Sequence, residues 1–320
     1  MPRPIRQSLI VIGIAAFYGV VCRLLFAARP MAEWLQVVSI AFVYTMPLSL
    51  GALVCFLGFK LDKPSRFWAY VAPPMTMLLL LIGSLLFKLE ALICVIVAAP
   101  VVMMMALFGG WIMSLILKRV SRGRLSVTLF VLLPYAIAPI EQMWQAPHET
   151  RVMQNAVSIH ASPETIWQQI YEVPAIQINE LPRQWIYHIG FPRPIAATID
   201  RQGVGGRRHA TFERDVSFFE VVTHWEPNKK LSFTIKADPD FIPHTAFDEH
   251  IIVGGRFYDV LDGTYEIEPR VDGSCVLRLS STHRLSTRFN WYAGWWSEWV
   301  MNQIQGSILE VIRKRCEQDS

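Results

Sequence analysis

The chain has 320 residues, 52% of them hydrophobic and only 18% charged, against about 25% charged in an ordinary soluble domain. With a mean hydropathy of +0.32, this composition excludes a disordered chain and a plain soluble enzyme. The formal net charge of +4 is unevenly spread: residues 1–146 carry 12 Lys or Arg against 4 Asp or Glu, residues 147–320 carry 18 against 22, and all eight His lie in the second part.

A membrane-spanning helix needs roughly 20 mostly apolar residues. Five stretches qualify as the transmembrane domain of residues 1–146: 8–28, 34–59, 67–87, 91–117 and 125–144. None offers a polar face to water. Pro47, Pro73, Pro74, Pro100, Pro134 and Pro139 fall inside them, which is tolerated where neighbouring helices satisfy the freed carbonyls. Trp34, Trp68, Trp111 and Trp144 sit near their ends, where indole rings suit the membrane interface. The first run is too long for a cleaved signal peptide and reads as a retained span.

The loops set the expected orientation. Arg3 and Arg6, then Lys60, Lys63 and Arg66, then Lys118, Arg119, Arg122 and Arg124 fall on one side. The other side has only Arg29 and Lys88, beside Glu33 and Glu90. Positive charge resists translocation, so the N-terminus is expected in the cytoplasm. Five crossings then place the second part outside, as a periplasmic or extracytoplasmic domain on a bacterial plasma membrane. Were the proline-broken fifth run not to cross, that domain would be cytoplasmic. Arg23, near the outer end of the first run, is expected to snorkel to the headgroups. An intramembrane charge also qualifies as a functional candidate.

Residues 145–151 read as a polar linker, and 152–316 as one α+β domain. The first strand is expected over 152–160. Ser162 stands at an N-cap with Pro163 at the first helical position, and the helix runs to about Glu172. A second helical segment is expected over 174–181. Strands over 203–214 and 217–225 meet at a tight turn on Asp215 and Val216. Leu231, Phe233 and Ile235 alternate with polar residues over 231–236. Strands over 257–268 and 274–285 flank a turn at 271–273, and a long helix closes the chain over 291–315.

This order of elements, with Val157-Ser158-Ile159-His160-Ala161-Ser162-Pro163-Glu164-Thr165-Ile166-Trp167, Gly203-Val204-Gly205-Gly206-Arg207-Arg208, Val221-Val222-Thr223-His224-Trp225-Glu226-Pro227 and the Trp-rich final helix, resembles the helix-grip fold of the SRPBCC superfamily. That superfamily includes START lipid-transfer domains and the polyketide cyclase/dehydrase-like group. The resemblance covers 152–316 and implies a curved antiparallel sheet around the C-terminal helix, with an apolar cavity between them. It implies a shape and not a reaction.

Strand alternation then sorts side chains to the two faces. Pairing Arg214 with Ser217 puts Arg208, Ala210, Phe212, Phe219, Val221, Thr223 and Trp225 on the apolar face, and Glu220 and His224 outside. The later strands put Asp259, Leu261, Tyr265 and Ile267 inward, with Cys275, Leu277, Leu279, Ser281 and His283. A buried Arg208 needs a partner, and Asp259 is the expected one. Either the two satisfy each other or they contact a ligand. The candidate ligand-binding set is Arg208, Thr223, Trp225, Asp259, Tyr265, Ser281, His283, Trp295 and Trp299. His283 is the one candidate catalytic group. Trp295 and Trp299 also fit core packing, and the other aromatics of 291–299 fit a cavity rim or the membrane interface.

No G-x-S-x-G, H-E-x-x-H, P-loop or dinucleotide fingerprint occurs, and no Cys/His spacing suits a metal. No cofactor and no metal are expected. The loop holding Asp238, Asp240, His244, Asp248, Glu249 and His250 reads as a solvated lid. Cys275 and Cys316 fall where strand and helix ends can meet, but the helical phase puts Cys316 off the main apolar face of the helix, which argues against a disulfide. With no basic stripe in the polar half, nucleic acid is not an expected partner. The expected partners are the lipid bilayer and a hydrophobic small molecule or lipid. The function expected is holding, sensing or transferring that molecule; a cyclase- or hydrolase-type enzyme and a non-catalytic assembly subunit are the alternatives.

Overall fold

The computed structural model describes residues 3–28, 31, 34–61, 65–119, 127–237 and 253–318. The chain divides into two compact units, Met1–Ala146 and Pro147–Ser320.

In the first unit, α1 is Arg3–Ala27, α2 Met46–Leu61, α3 Ala72–Leu86, α4 Leu92–Arg119 and α5 Thr128–Gln142. One wide π-helical segment precedes α2 (Ala41–Thr45) and another precedes α3 (Phe67–Val71). Each lies just ahead of prolines, Pro47 and the pair Pro73–Pro74. A proline ring clashes with the carbonyl four residues back and lacks an N–H, so a widened turn relieves the helix there. Among the described residues, four helices are long and apolar enough to cross a membrane: Arg6–Ala27, Ala41–Leu61, Phe67–Leu86 and Leu92–Arg119. The fifth expected span forms a helix of only 15 residues, about 22 Å long at 1.5 Å per residue.

The helix of the second expected span starts at Ala41 rather than at residue 34, and its caps show why. Ser39 Oγ accepts from Phe42 N–H at 3.0 Å, and the Glu141 carboxylate of α5 accepts from Ile40 and Ala41 N–H at 2.8 and 3.0 Å. These groups satisfy the orphan donors of a helix start. Arg23 does not snorkel freely: its Nε donates to Glu90, and its Nη2 to the Leu89 carbonyl at 2.8 Å. Trp68 is not an interface residue but is buried in the bundle, over Gly58. Helices α2 and α4 touch backbone to backbone. A Cβ on Gly109 would lie 1.9 Å from the Leu48 carbonyl oxygen, and one on Gly51 would lie 1.9 Å from that of Ala106. Small residues give membrane helices this close packing. Arg29, Glu33, Lys63, Arg122 and Arg124 lie outside the described residues.

In the second unit, β1 is Glu149–Ile159, α6 Pro163–Tyr171, β2 Pro194–Ile199, β3 Arg207–Phe212, β4 Ser217–Glu226, β5 Lys230–Ala237, β6 Tyr258–Pro269, β7 Cys275–Leu285 and α7 Asn290–Gln318. The seven strands form one antiparallel sheet in the order β1-β7-β6-β5-β4-β3-β2. The sheet curls around the long C-terminal helix, the helix-grip arrangement. Ile159, Tyr265, Ile267, Leu277 and Leu279 of the sheet share a buried core with Trp167 and Ile170 of α6 and with Leu309, Ile312 and Cys316 of α7. Ser162 caps α6, its Oγ accepting from Thr165 N–H at 3.2 Å.

Four expectations fail for identifiable reasons. Residues 174–181 form no helix. Val173 and Ile176 donate instead to Ala197 and Ile195 of β2, which the sequence reading missed, and Arg315 bonds the carbonyls of Pro174 and Ala175. The β3–β4 turn centres on Arg214 and Asp215, with φ of 60° and 59°, so Ser217 faces Thr211 and Glu220 faces Arg208. That odd register shift turns Glu220 and Val222 inward and Phe219 outward. A bulge at Thr223 then returns Trp225 to the inner side, and a bulge at Leu261 puts Tyr258 and Val260 inward in place of Asp259 and Leu261. A bulge adds one residue and so reverses the alternation beyond it. Finally, Cys316 lies in the core after all, although Cys275 and Cys316 are both free.

Candidate functional site

Among the described residues, three of the polar groups on the inner face of the sheet hold sequence candidates; a further one pairs Arg151 of β1, opposite His283, with Glu298 of α7 at 2.6 Å. The first joins β3 to β4. Arg208 Nη1 donates to Glu220 Oε2 at 2.5 Å and its Nε to the Tyr171 carbonyl, at the end of α6, at 3.3 Å. The guanidinium lies 5.2 Å over the Phe233 ring, and the Tyr265 hydroxyl lies against it. Gly263, opposite Phe233 on β6, makes room for that ring: a Cβ there would lie 2.6 Å from it. Burial pushes the Glu220 carboxyl above the usual carboxylate range, against the pull of Arg208. Burial also pushes the Tyr265 phenol up to about 12.

The second group ties α7 to β1 and β7. Gln305 Nε2 donates to Ser281 Oγ at 2.7 Å, and its Oε1 accepts from Asn155 Nδ2 at 2.8 Å. The third is His283, fully buried on β7. Its Nε2 meets Ser297 Oγ of α7 at 3.1 Å, and its ring lies 5.8 Å from that of Tyr258. Ser297 Oγ donates to the Gly294 carbonyl at 3.0 Å. A neutral ring protonated on Nε2 fits both contacts and leaves Nδ1 as an acceptor. That Nδ1 is buried with no hydrogen-bond partner among the described residues. Burial lowers the pKa of His283 and keeps the ring neutral.

Of the sequence candidates, Arg208, Tyr265, Ser281 and His283 lie on this inner face. Trp225 joins its edge, packed against Trp167 and Tyr171 at 5.0 and 5.6 Å. The others lie elsewhere. Thr223 is the exposed residue of the β4 bulge. Asp259 faces Arg284 across the β6–β7 ladder, 4.0 Å away, on the side opposite His283. Trp295 is exposed, against its expected place in the core. Trp299 packs against Trp185, ring centroids 4.6 Å apart and tilted by 40°. The expected Arg208–Asp259 pair is therefore replaced by Arg208–Glu220. His283, Arg208 and Asp259 do not converge, so they form no acid–base set. Among the described residues, no cluster of three His, Cys, Asp or Glu suits a metal; His244 and His250 lie outside them.

Sequence reasoning missed Glu220, Gln305, Asn155, Ser297 and Tyr258. Only Gln305 left a readable signal. It is a polar residue on the stripe Met301, Gln305, Leu309, Ile312 and Cys316, all buried, where the helical period predicts apolar side chains.

No family model and no curated protein matches the chain. Among solved structures, a truncated norcoclaurine synthase from Thalictrum flavum is 16% identical, over 53% of this chain and 96% of its own, with a TM-score of 0.33. A START superfamily protein from Mycobacterium smegmatis is 13% identical, over 54% and 100%, with a TM-score of 0.35. The protein Ara h 8.0201 is 10% identical, over 52% and 98%, with a TM-score of 0.30. Likenesses at this level say nothing of function, and the helix-grip assignment stands on the strand order and α7.

Proposed function

We propose that this chain is a multi-pass membrane protein whose helix-grip domain stands outside the cytoplasm. There it holds a hydrophobic molecule with a polar end, such as a lipid or an isoprenoid-like compound, taken from the adjacent leaflet. The observation that carries the reading is the set of polar groups on an otherwise apolar inner face. A core built for stability alone does without them, because each buried polar group costs free energy unless fully bonded. A small-molecule site is usually apolar with a small number of placed polar groups. His283 Nδ1, buried and unpartnered among the described residues, is an acceptor waiting for a hydroxyl or amide.

The placement outside rests on the basic residues of alternate loops and needs α5 to cross. A helix of about 22 Å crosses a core of about 30 Å only with local thinning or with help from its flanks. Cysteine accessibility tests this part: Val271→Cys, at a fully exposed turn, should react with an impermeant maleimide in intact cells. Labelling only after lysis would put the domain in the cytoplasm. For binding, the purified full chain is extracted with organic solvent beside Tyr265→Phe, which keeps the ring and deletes its hydroxyl. A compound enriched over bulk lipid, and reduced in the variant, supports the reading. Equal extracts from both that match bulk lipid contradict it.

A further inference from the structure

The first turns of α7 expose a row of indoles. Trp291 and Trp295 are 68% and 59% exposed, and their spacing of four places them on one edge of the helix. The row continues by ring contacts: Trp295 to Trp296 at 4.8 Å, Trp296 to Trp299 at 6.0 Å, and Trp299 to Trp185 at 4.6 Å. Trp185 is itself 47% exposed. From 291 to 299 the helix advances about 12 Å. A contiguous aromatic row of this size on a soluble face marks an interaction surface.

The connectivity of the chain bears on what that surface can reach. Asn290, the first residue of α7, donates through Nδ2 to the Pro147 carbonyl at 3.1 Å, and His148 Nδ1 meets Ser286 Oγ at 2.7 Å. The start of α7 is thus fastened to the point where the domain begins. Only residues 143–146 separate that point from Gln142, the end of α5. An extended chain advances at most about 3.6 Å per residue, so the five steps from 142 to 147 reach no more than about 18 Å.

We propose that Trp291 and Trp295 dock the domain on the lipid interface, their rings at headgroup level. The proposal rests on the reading that the apolar helices cross a membrane. A tryptophan ring, apolar in body with one N–H, suits that zone better than water or hydrocarbon. The tether keeps the start of α7 within reach of that interface, and docking through these two rings would bring the domain to lipid by one edge of the helix.

The test uses the full chain reconstituted in phosphatidylcholine vesicles, with and without brominated acyl chains. The tryptophan emission of the wild type minus that of Trp291→Ser/Trp295→Ser isolates the two indoles. Trp291→Phe/Trp295→Phe isolates the same pair with apolar packing kept. The expected difference spectrum is blue-shifted from indole in water, and brominated lipid quenches it by at least the average fraction for the whole protein. A water-like, unquenched difference beside a quenched remainder overturns the docking and leaves the membrane reading intact. A blue-shifted but unquenched difference means that protein covers the row, which also overturns the docking. Absence of quenching from the whole protein removes the membrane reading and the docking together.

Discussion

Arg208 and Glu220 stand directly opposite each other on β3 and β4, buried and bonded at 2.5 Å. Neither is satisfied alone, so removing one should cost far more than removing both. Arg208→Met should lower stability by about 3–5 kcal/mol, because it strands a buried carboxylate. Arg208→Met with Glu220→Leu should be close to wild type or more stable, since apolar replacements of a buried pair are often neutral or better. Denaturant unfolding of the four members of this cycle checks it. A double variant as weak as Arg208→Met would mean that the two residues do not act as a pair.

Gly263 is required by the ring of Phe233. A Cβ at 263 would lie 2.6 Å from that ring, so Gly263→Ala should cost about 1–3 kcal/mol, the usual range for overpacking. Adding Phe233→Leu should recover part of the loss. Thermal unfolding of both variants is the measurement. A harmless single change would show that the ring moves freely, and that it does not fix the guanidinium above it.

Stability should fall on mild acidification through His283. Burial lowers its pKa below the ordinary value of 6.5, so the unfolded chain takes up a proton that the folded domain rejects. The contribution of the neutral ring is complete above about pH 6.5 and declines as the pH falls through that value. Unfolding temperatures between pH 7.5 and 5.5 should drop for the wild type and drop less for His283→Gln. Parallel curves for the two would contradict this assignment.

In the first unit, Gly109→Leu should separate α2 from α4. The atom it would meet, at 1.9 Å from the new Cβ, is the Leu48 backbone carbonyl, which no rotamer change moves away. Reduced thermal stability in detergent is expected for Gly109→Leu and not for Gly83→Leu, where a Cβ meets nothing within 4 Å. Equal behaviour would show that the close approach of these helices contributes little.

What the sequence made legible depended on regular alternation. On β7, which runs without a bulge from Cys275 to Leu285, counting by two placed Ser281 and His283 inward correctly. On β6 and β4 the same counting failed at Leu261 and Thr223, since nothing in those residue types announces a bulge. The Arg208 partner was lost to the Arg214–Asp215 turn, whose positive φ values fall on residues less typical of that conformation than Gly or Asn. The Ser162–Pro163 cap was readable because its signal is local. The fate of 174–181 was not, because Ile195, Ala197 and Arg315 decide it from a distance. Hydropathy found the apolar helices, but not that Glu141 caps the segment leading into α2 or that Arg23 pairs with Glu90.

Native mass spectrometry of the full chain released from detergent micelles tests whether the protein holds a hydrophobic molecule. A second species is expected, heavier by one hydrophobic molecule of defined mass, near one per chain. That species should weaken in His283→Leu, which removes the unpartnered Nδ1 acceptor. A single mass equal to that of the protein alone, under conditions that preserve bound lipid on other membrane proteins, would contradict it.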